Sequence, residues 1–370
     1  MSAIATTRSA LREQPFRATR RAWSGGRMRL LVLGGTAFLG RELARAGLAR
    51  GHDVTCVARG RSGAPADGAR LVRVDRDDPD AGLGGVEHED WDAVLDVARD
   101  PGQVRRAVAA LAGRAGHWGF VSTGNVYADH SVPGADESTP LLAPRDVGGD
   151  DPDAYGGAKV ACEQAVLDGL GPSRTLVARA GLIGGPGDSS GRTGWWPWRF
   201  AHPAAPGRVL VPAALGDPVQ VLDVRDLAAW MVRCAESGTS GVVDAVGPTT
   251  TLGRLLEASR AAAGGDAELV AADPAWLAEQ GVDAWMGPRS LPLWLPFAEY
   301  GGFASRTGEA ARALGLTHRP LLETLRDTLA WEEARPADQP RRTGLDDADE
   351  RALLAAWAQG PGSSSARGSR

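Results

Sequence analysis

The chain has 370 residues, of which 43% are hydrophobic and 24% charged; that is globular composition, with apolar material for a large core and a length that suggests about two domains. A formal net charge of −5 excludes the generally basic surface by which proteins capture nucleic acid. No apolar run approaches the roughly 18 residues needed to cross a bilayer, and the first residues lack the apolar centre of a secretory signal. The expectation is therefore a cytoplasmic protein acting on a small molecule, without a membrane or nucleic-acid partner.

Residues 1–27 are rich in Arg, Ser, Thr and Ala and carry no apolar period. They are expected to be a disordered extension, an organelle transit peptide or an upstream-start segment, since Met28 directly precedes the first strand. From there the pattern turns to strand, glycine turn and helix: residues 30–33 form an apolar run and 38–49 have helical spacing. Short strands follow at 54–58, 71–74 and 93–97, then a helix near 103–111 and a strand at 119–122. Apolar strands alternating with helices specify an α/β fold, a doubly wound parallel Rossmann sheet covered on both faces. A helix running to Leu170 and a strand at 174–179 complete a nucleotide-binding domain over 28–180. Beyond it, 181–335 reads as a smaller substrate-binding region, partly interleaved with the first. Its segment 181–218 is loop-like, followed by a strand at 219–223 and helices at 227–235 and 252–263. Residues 336–370 are expected to be a tail with a flexible Gly/Ser-rich end.

The turn Gly34-Gly35-Thr36-Ala37-Phe38-Leu39-Gly40 lies between a buried-type strand and an amphipathic helix, the setting in which a glycine motif holds a dinucleotide pyrophosphate at a helix N-terminus. Gly34 permits the tight turn and Gly40 the close approach of helix to strand, with Thr36, Phe38 and Leu39 beside the cofactor. The alternative is a structural turn of another α/β protein. Where an NAD-binding domain usually carries a carboxylate after its second strand, this chain has Arg59 and Arg61. Two guanidiniums there suit a 2′-phosphate, so NADP(H) is favoured over NAD(H); the competing reading is a solvated loop in an arginine-rich protein. Asp75 and Arg76, after the third strand, are candidates for the adenine.

Lys159 is the single lysine among 41 basic residues and stands four positions after Tyr155, one of three tyrosines. A lysine retained against so strong an arginine bias suggests a task that arginine does not perform. At positions i and i+4 a phenol and an ammonium share one helix face, and an adjacent cation favours the phenolate.

With these motifs in order, together with Ser122-Thr123-Gly124-Asn125-Val126-Tyr127, the stretch from Arg179 to Pro186, and Val224-Arg225-Asp226-Leu227, residues 28–331 resemble the short-chain dehydrogenase/reductase superfamily, in its extended NAD-dependent epimerase/dehydratase-like branch. The resemblance implies a catalytic set of Thr123, Tyr155 and Lys159, with Ser122 as the alternative to Thr123 at the substrate oxygen. It implies hydride exchange at a carbonyl or secondary alcohol carbon, with Tyr155 moving the proton and Lys159 also holding the nicotinamide ribose. A homodimer is the usual arrangement of such proteins. An epimerase that retains its cofactor is a second reading, and an RNA-associated atypical member a third, against which the acidic charge and the Tyr155/Lys159 pair count.

Two departures stand out. Ala37 replaces the middle glycine of the turn, and Gly124-Asn125 occupies the place of the Asp-Glu pair of sugar-nucleotide dehydratases, which makes a 4,6-dehydratase improbable. Trp195, Trp196 and Trp198, with Arg192 and Arg199, fall where this branch builds its substrate lid; the alternative is a packing role. The three cysteines, and His117, His130 and His202, show no metal-ligand spacing, and no metal is expected.

Overall fold

The structure, a computed structural model, describes residues 26–147, 151–336, 339 and 341–360. All but the last two residues of the expected N-terminal extension, and the end of the tail after Gly360, lie outside the described residues.

The chain opens with β1 (Arg29–Leu33), α1 (Phe38–Ala49), β2 (Asp53–Ala58), β3 (Arg70–Arg73), β4 (Trp91–Asp96), α2 (Pro101–Leu111) and β5 (Ala115–Thr123). It continues through α3 (Pro152–Leu170), β6 (Thr175–Ala180), β7 (Ile183–Gly184), α4 (Arg192–Ala201), β8 (Arg208–Pro212), β9 (Pro218–Gln220) and β10 (Leu222–Asp223). Next come α5 (Val224–Ser237), β11 (Gly241–Ala245), β12 (Thr249–Thr251), α6 (Leu252–Ala262) and β13 (Glu268–Ala272). Seven strands form one parallel sheet in the order β11-β6-β5-β4-β1-β2-β3. The order reverses between β1 and β4, and the crevice beyond the strand ends there is where doubly wound sheets bind ligands.

Each face of the sheet has its own core. On one side α1 and α5 pack together, with Leu43, Ala44, Leu227 and Met231 buried against Leu30, Val32 and Leu95. On the other, α2 and α3 bury Val104, Val108, Leu111, Cys162 and Val166 against Leu31, Leu33 and Phe120. This double cover explains why β1 is an unbroken apolar run instead of an alternating one. Since α5 and β11 come from the segment after Ala180 yet complete the sheet, the two regions are interleaved.

A second lobe has a separate core around α4, α6 and the pairs β8·β13 and β9·β12. Here the sequence expectations need correction. The stretch read as a loop, 181–218, contains α4 and β8. Pro197 sits inside α4, and a proline there costs about 3 kcal/mol. Trp195 and Trp196 are 1% and 0% exposed, and burying each contributes about 4 kcal/mol at roughly 25 cal/mol per Å², so packing outweighs the breaker. The single strand expected at 219–223 is two, β9 paired antiparallel with β12 and β10 paired parallel with β7. Within the expected tail Asp346 caps a helix over Asp347–Gln359 that buries Leu353 and Leu354 in the second lobe, and the expected flexible end lies outside the described residues. Among the described residues no helix is long and apolar enough to cross a membrane.

Candidate active site

The turn after β1 is built by exclusion of side chains. Gly34 has φ +100° and donates its N–H to Val57 O at 2.9 Å. A Cβ on Gly35 would lie 2.4 Å from Cys56 Sγ, and one on Gly40 would lie 2.1 Å from the Gly34 carbonyl oxygen. Thr36 is buried, while Phe38 and Leu39 are half-buried in the first turn of α1. Phe38 lies against Gly187, whose Cβ would be 3.4 Å from its ring. Ala37 occupies the helix N-cap at φ −106° and is exposed. Its backbone is ordinary extended geometry, so the methyl group introduces no strain where related turns carry glycine. No side chain caps this helix and its first turn holds no acidic residue, which leaves N–H groups and the positive dipole end for a phosphate.

At the end of β2, Arg59 pairs with Asp77 at 2.7 Å and lies 3.8 Å from Asp75, while Arg61 also lies 3.8 Å from Asp75. Both arginines are exposed. Arg76 turns the other way: its guanidinium is buried against Asp96 at 3.2 Å, at the C-terminal end of β4, and donates to Gln103 O. Of the four residues expected at the cofactor here, Arg59, Arg61 and Asp75 present side chains at the surface and Arg76 does not.

The residues after Tyr155 explain how α3 meets β5. A Cβ on Gly156 would lie 2.0 Å from Asn125 O, and one on Gly157 would lie 2.8 Å from Ala143 O. Gly156 lets the first turn of α3 press onto the bend that follows Thr123, and Gly157 lets it pass the backbone of Ala143. Asp151 caps that helix by accepting from the Asp153 and Ala154 N–H groups, with Pro152 at the first helical position. Tyr155 is thereby held beside Thr123, whose hydroxyl donates to Asn125 Oδ1 at 3.1 Å. Burial pushes the Tyr155 phenol above its usual pKa, and Arg99, the Thr123 hydroxyl and Arg192 pull it back.

Lys159 lies one turn further along, fully buried. Its ammonium donates to Ala98 O at 2.8 Å and Val121 O at 2.5 Å, over the Phe120 ring, and burial lowers its pKa to about 8. Because Val97 touches the position of a Gly34 side chain, 2.6 Å from its Cβ, the segment after β4 links the glycine turn to Lys159. The sequence placed the lysine ammonium as the cation that tunes the phenol. The structure turns it to main-chain carbonyls, and the cations acting on the phenol are Arg99 and Arg192. Arg99, whose guanidinium stands 4.8 Å over the Tyr155 ring, was missed because it belongs to no motif and is far from Tyr155 in sequence.

Ser122 is engaged elsewhere, donating to Glu163, which pairs with Arg179 at 2.8 Å. Arg179 donates to the Tyr127 hydroxyl at 3.1 Å, that hydroxyl donates to Asp244 at 2.6 Å, and Asp244 pairs with Arg306 at 2.6 Å. This buried chain of charges joins α3, β6 and β11 and gives Tyr127 a structural place, its phenol pushed up chiefly by burial.

Of the expected lid residues, Arg192 acts on Tyr155 and Trp198 is half-buried, whereas Trp195, Trp196 and Arg199 are in buried contacts. Trp195 and Trp196 are core residues of the second lobe, with Trp196 Nε1 donating to Pro292 O at 2.8 Å. Arg199, 0% exposed, pairs with Glu350 at 2.9 Å and Asp347 at 2.7 Å of the C-terminal helix. These three expose almost no surface on which a ligand ring could stack. Phe303 instead lies beside the residue after Thr123, 3.8 Å from the Cβ position of Gly124, with Trp285 edge-on to it at 5.6 Å and covered by Arg192 at 5.0 Å. Trp285 has φ +71°, a strained conformation for an aromatic residue of the kind that gathers at functional sites.

Comparison with known proteins places the chain in a family and the fold among solved structures. A model of the NAD dependent epimerase/dehydratase family matches residues 30–246. Among solved structures, UDP-glucose 4-epimerase of Thermus thermophilus, in complex with NAD, is 20% identical, with a TM-score of 0.58 over 83% of this chain and 100% of that one. UDP-glucose 4-epimerase of Thermotoga maritima, with UDP-glucose, is 18% identical, with a TM-score of 0.62 over 83% and 99%. The Bordetella bronchiseptica enzyme WbmG, in complex with NAD and UDP, is 16% identical, with a TM-score of 0.61 over 84% and 96%. No curated protein matches the sequence.

Proposed function

Because the chain belongs to the NAD-dependent epimerase/dehydratase family, a family of nicotinamide-dependent enzymes, we propose that it exchanges a hydride with a carbonyl or secondary alcohol carbon while Tyr155 moves the proton on the oxygen. The observation that carries this reading is the placement of Tyr155 against Thr123 by Gly156 and Gly157, with Lys159 bridging to the segment that touches Gly34. The glycine turn, the buried Lys159 ammonium and the Tyr155 phenol thus lie on connected segments near the reversal of strand order, which supports the reading. The glycine positions that a Cβ would fill, and the uncapped α1 terminus, fit a dinucleotide. Gly34–Gly40 would hold its pyrophosphate and Lys159 its ribose, and the bound cofactor supplies the hydride or accepts it.

Thr123 orients the substrate oxygen, and Tyr155 donates or removes the proton there, helped towards its phenolate by the nearby guanidiniums. We favour NADP(H) as the cofactor: Arg59 and Arg61 follow β2, and their exposed pairs with Asp75 and Asp77 are worth little against a dianionic 2′-phosphate. The family name and the two UDP-glucose 4-epimerases among the structural neighbours support a second reading, an epimerase that returns the hydride to the same substrate. Stoichiometric consumption of NADPH with a ketone marks the reductase, and interconversion of epimers without net consumption marks the epimerase.

Tyr155→Phe is expected to lower turnover in whichever assay applies by about 10³-fold while leaving NADPH affinity within about twofold, since the phenol has no part in holding phosphates. A variant as active as the parent assigns the proton to another group.

A further inference from the structure

Resting on the hydride-exchange reading above, we infer that the substrate carries a carboxylate, or a similarly compact anion, beside the carbon that reacts, and that Arg99 and Arg192 bind it. The protein matches its inward-facing arginines with carboxylates: Arg76 with Asp96, Arg179 with Glu163 and Arg306 with Asp244. Arg192, half-buried, and Arg99, exposed with its guanidinium over the Tyr155 ring, form no such ion pair among the described residues. Arg192 Nε donates to Ser190 Oγ at 3.1 Å. Asp188, the carboxylate that acts on it electrostatically, is already taken by the hydroxyls of Ser190 and Thr193.

Both guanidiniums act electrostatically on the Tyr155 phenol, and both gain from a shared negative charge. Each lies against an aromatic ring, Arg99 on Tyr155 at 4.8 Å and Arg192 on Trp285 at 5.0 Å. Stacking fixes the plane of a guanidinium and leaves its edge for bidentate recognition of a carboxylate. Thr123 and Tyr155 define where the reacting oxygen sits. An anion held by Arg99, whose guanidinium stands over the Tyr155 ring, lies near the reacting oxygen, as the carboxylate of a 2-hydroxy acid, a 2-oxo acid or a sugar acid would.

The test uses the full chain loaded with NADPH, which cannot take a hydride from an alcohol, so binding is read without turnover. Isothermal titration compares matched probes with no reducible carbonyl, 2-hydroxybutanoate against 2-butanol and methyl α-D-galactopyranosiduronate against methyl α-D-galactopyranoside. The acid of at least one pair is expected to bind tenfold or more tightly than its neutral partner. Arg99→Gln and Arg192→Gln are each expected to remove most of that preference with NADPH affinity unchanged. Equal binding within both pairs, or a preference that survives in the double variant, overturns the assignment. So does an effect of the two variants confined to the pH profile of hydride exchange with a neutral substrate, which would make the arginines phenol-tuning groups alone. A wild-type protein that binds no nicotinamide cofactor defeats the hydride-exchange reading itself; one that binds NADPH yet shows no acid preference defeats only the anion site.

Discussion

Arg59 shows how the same residue reads differently alone and in place. In the sequence it competes with a solvated loop; in the structure it is exposed at the end of β2 and held by Asp77 at 2.7 Å, a contact worth less than about 1 kcal/mol at the surface. A 2′-phosphate offers a stronger, doubly charged partner. Arg59→Ala is expected to weaken NADPH binding by about tenfold or more while changing NADH binding little, measured by fluorescence titration of both cofactors. A parallel loss for the two would remove the 2′-phosphate as the reason for this arginine. Lys159 was legible for a different reason: in a chain with no other lysine, a compact ammonium stands out. Where that ammonium points was not legible, because its partners Ala98 and Val121 are backbone carbonyls that any residue type would supply.

At the scale of elements, the glycine positions carry the most information. Gly40 meets the Gly34 carbonyl so closely that a Cβ would lie 2.1 Å from it, and main chain cannot swing aside as a side chain does. Gly40→Ala is therefore expected to move α1 off β1, costing about 3 kcal/mol by overpacking and abolishing tight cofactor binding. Gly51→Ala is the control, since its φ of +82° is strained for alanine but its side-chain space is open. That variant is expected to cost only about 1 kcal/mol in urea denaturation and to bind cofactor normally. Strand and helix positions in the first 180 residues follow from short-range pattern, because buried parallel strands and amphipathic helices announce themselves locally. In α4 the local signal misleads: Pro197 reads as a stop, and only the packing of Trp195 and Trp196 around it reveals the helix.

Over the whole molecule, the C-terminal helix acts as a clasp on the second lobe. Glu350 is buried against Arg199 at 2.9 Å and accepts from the Leu210 N–H at 2.8 Å. Glu350→Ala leaves a buried guanidinium with the half-exposed Asp347 as its remaining carboxylate, and is expected to cost about 3 kcal/mol. Urea denaturation checks this, alongside NADPH titration, which should be unaffected because the cradle belongs to the other lobe. A stability within about 0.5 kcal/mol of the parent would show that the pair costs as much to desolvate as it returns.

The amino-acid order by itself determined the parallel Rossmann sheet, the glycine turn and the helix carrying Tyr155 and Lys159, since each depends on residues within a few positions of one another. Tertiary structure alone decided which side chains face the crevice. It set Arg99 over Tyr155 and Phe303 beside Gly124, with Trp285 against Phe303 and the expected Arg192 over Trp285, and it took Trp195, Trp196, Arg199 and Ser122 into buried contacts. The physical reason is that an aromatic ring or a guanidinium serves equally well in a core or in a cleft; burial and pairing with distant parts of the chain choose between them.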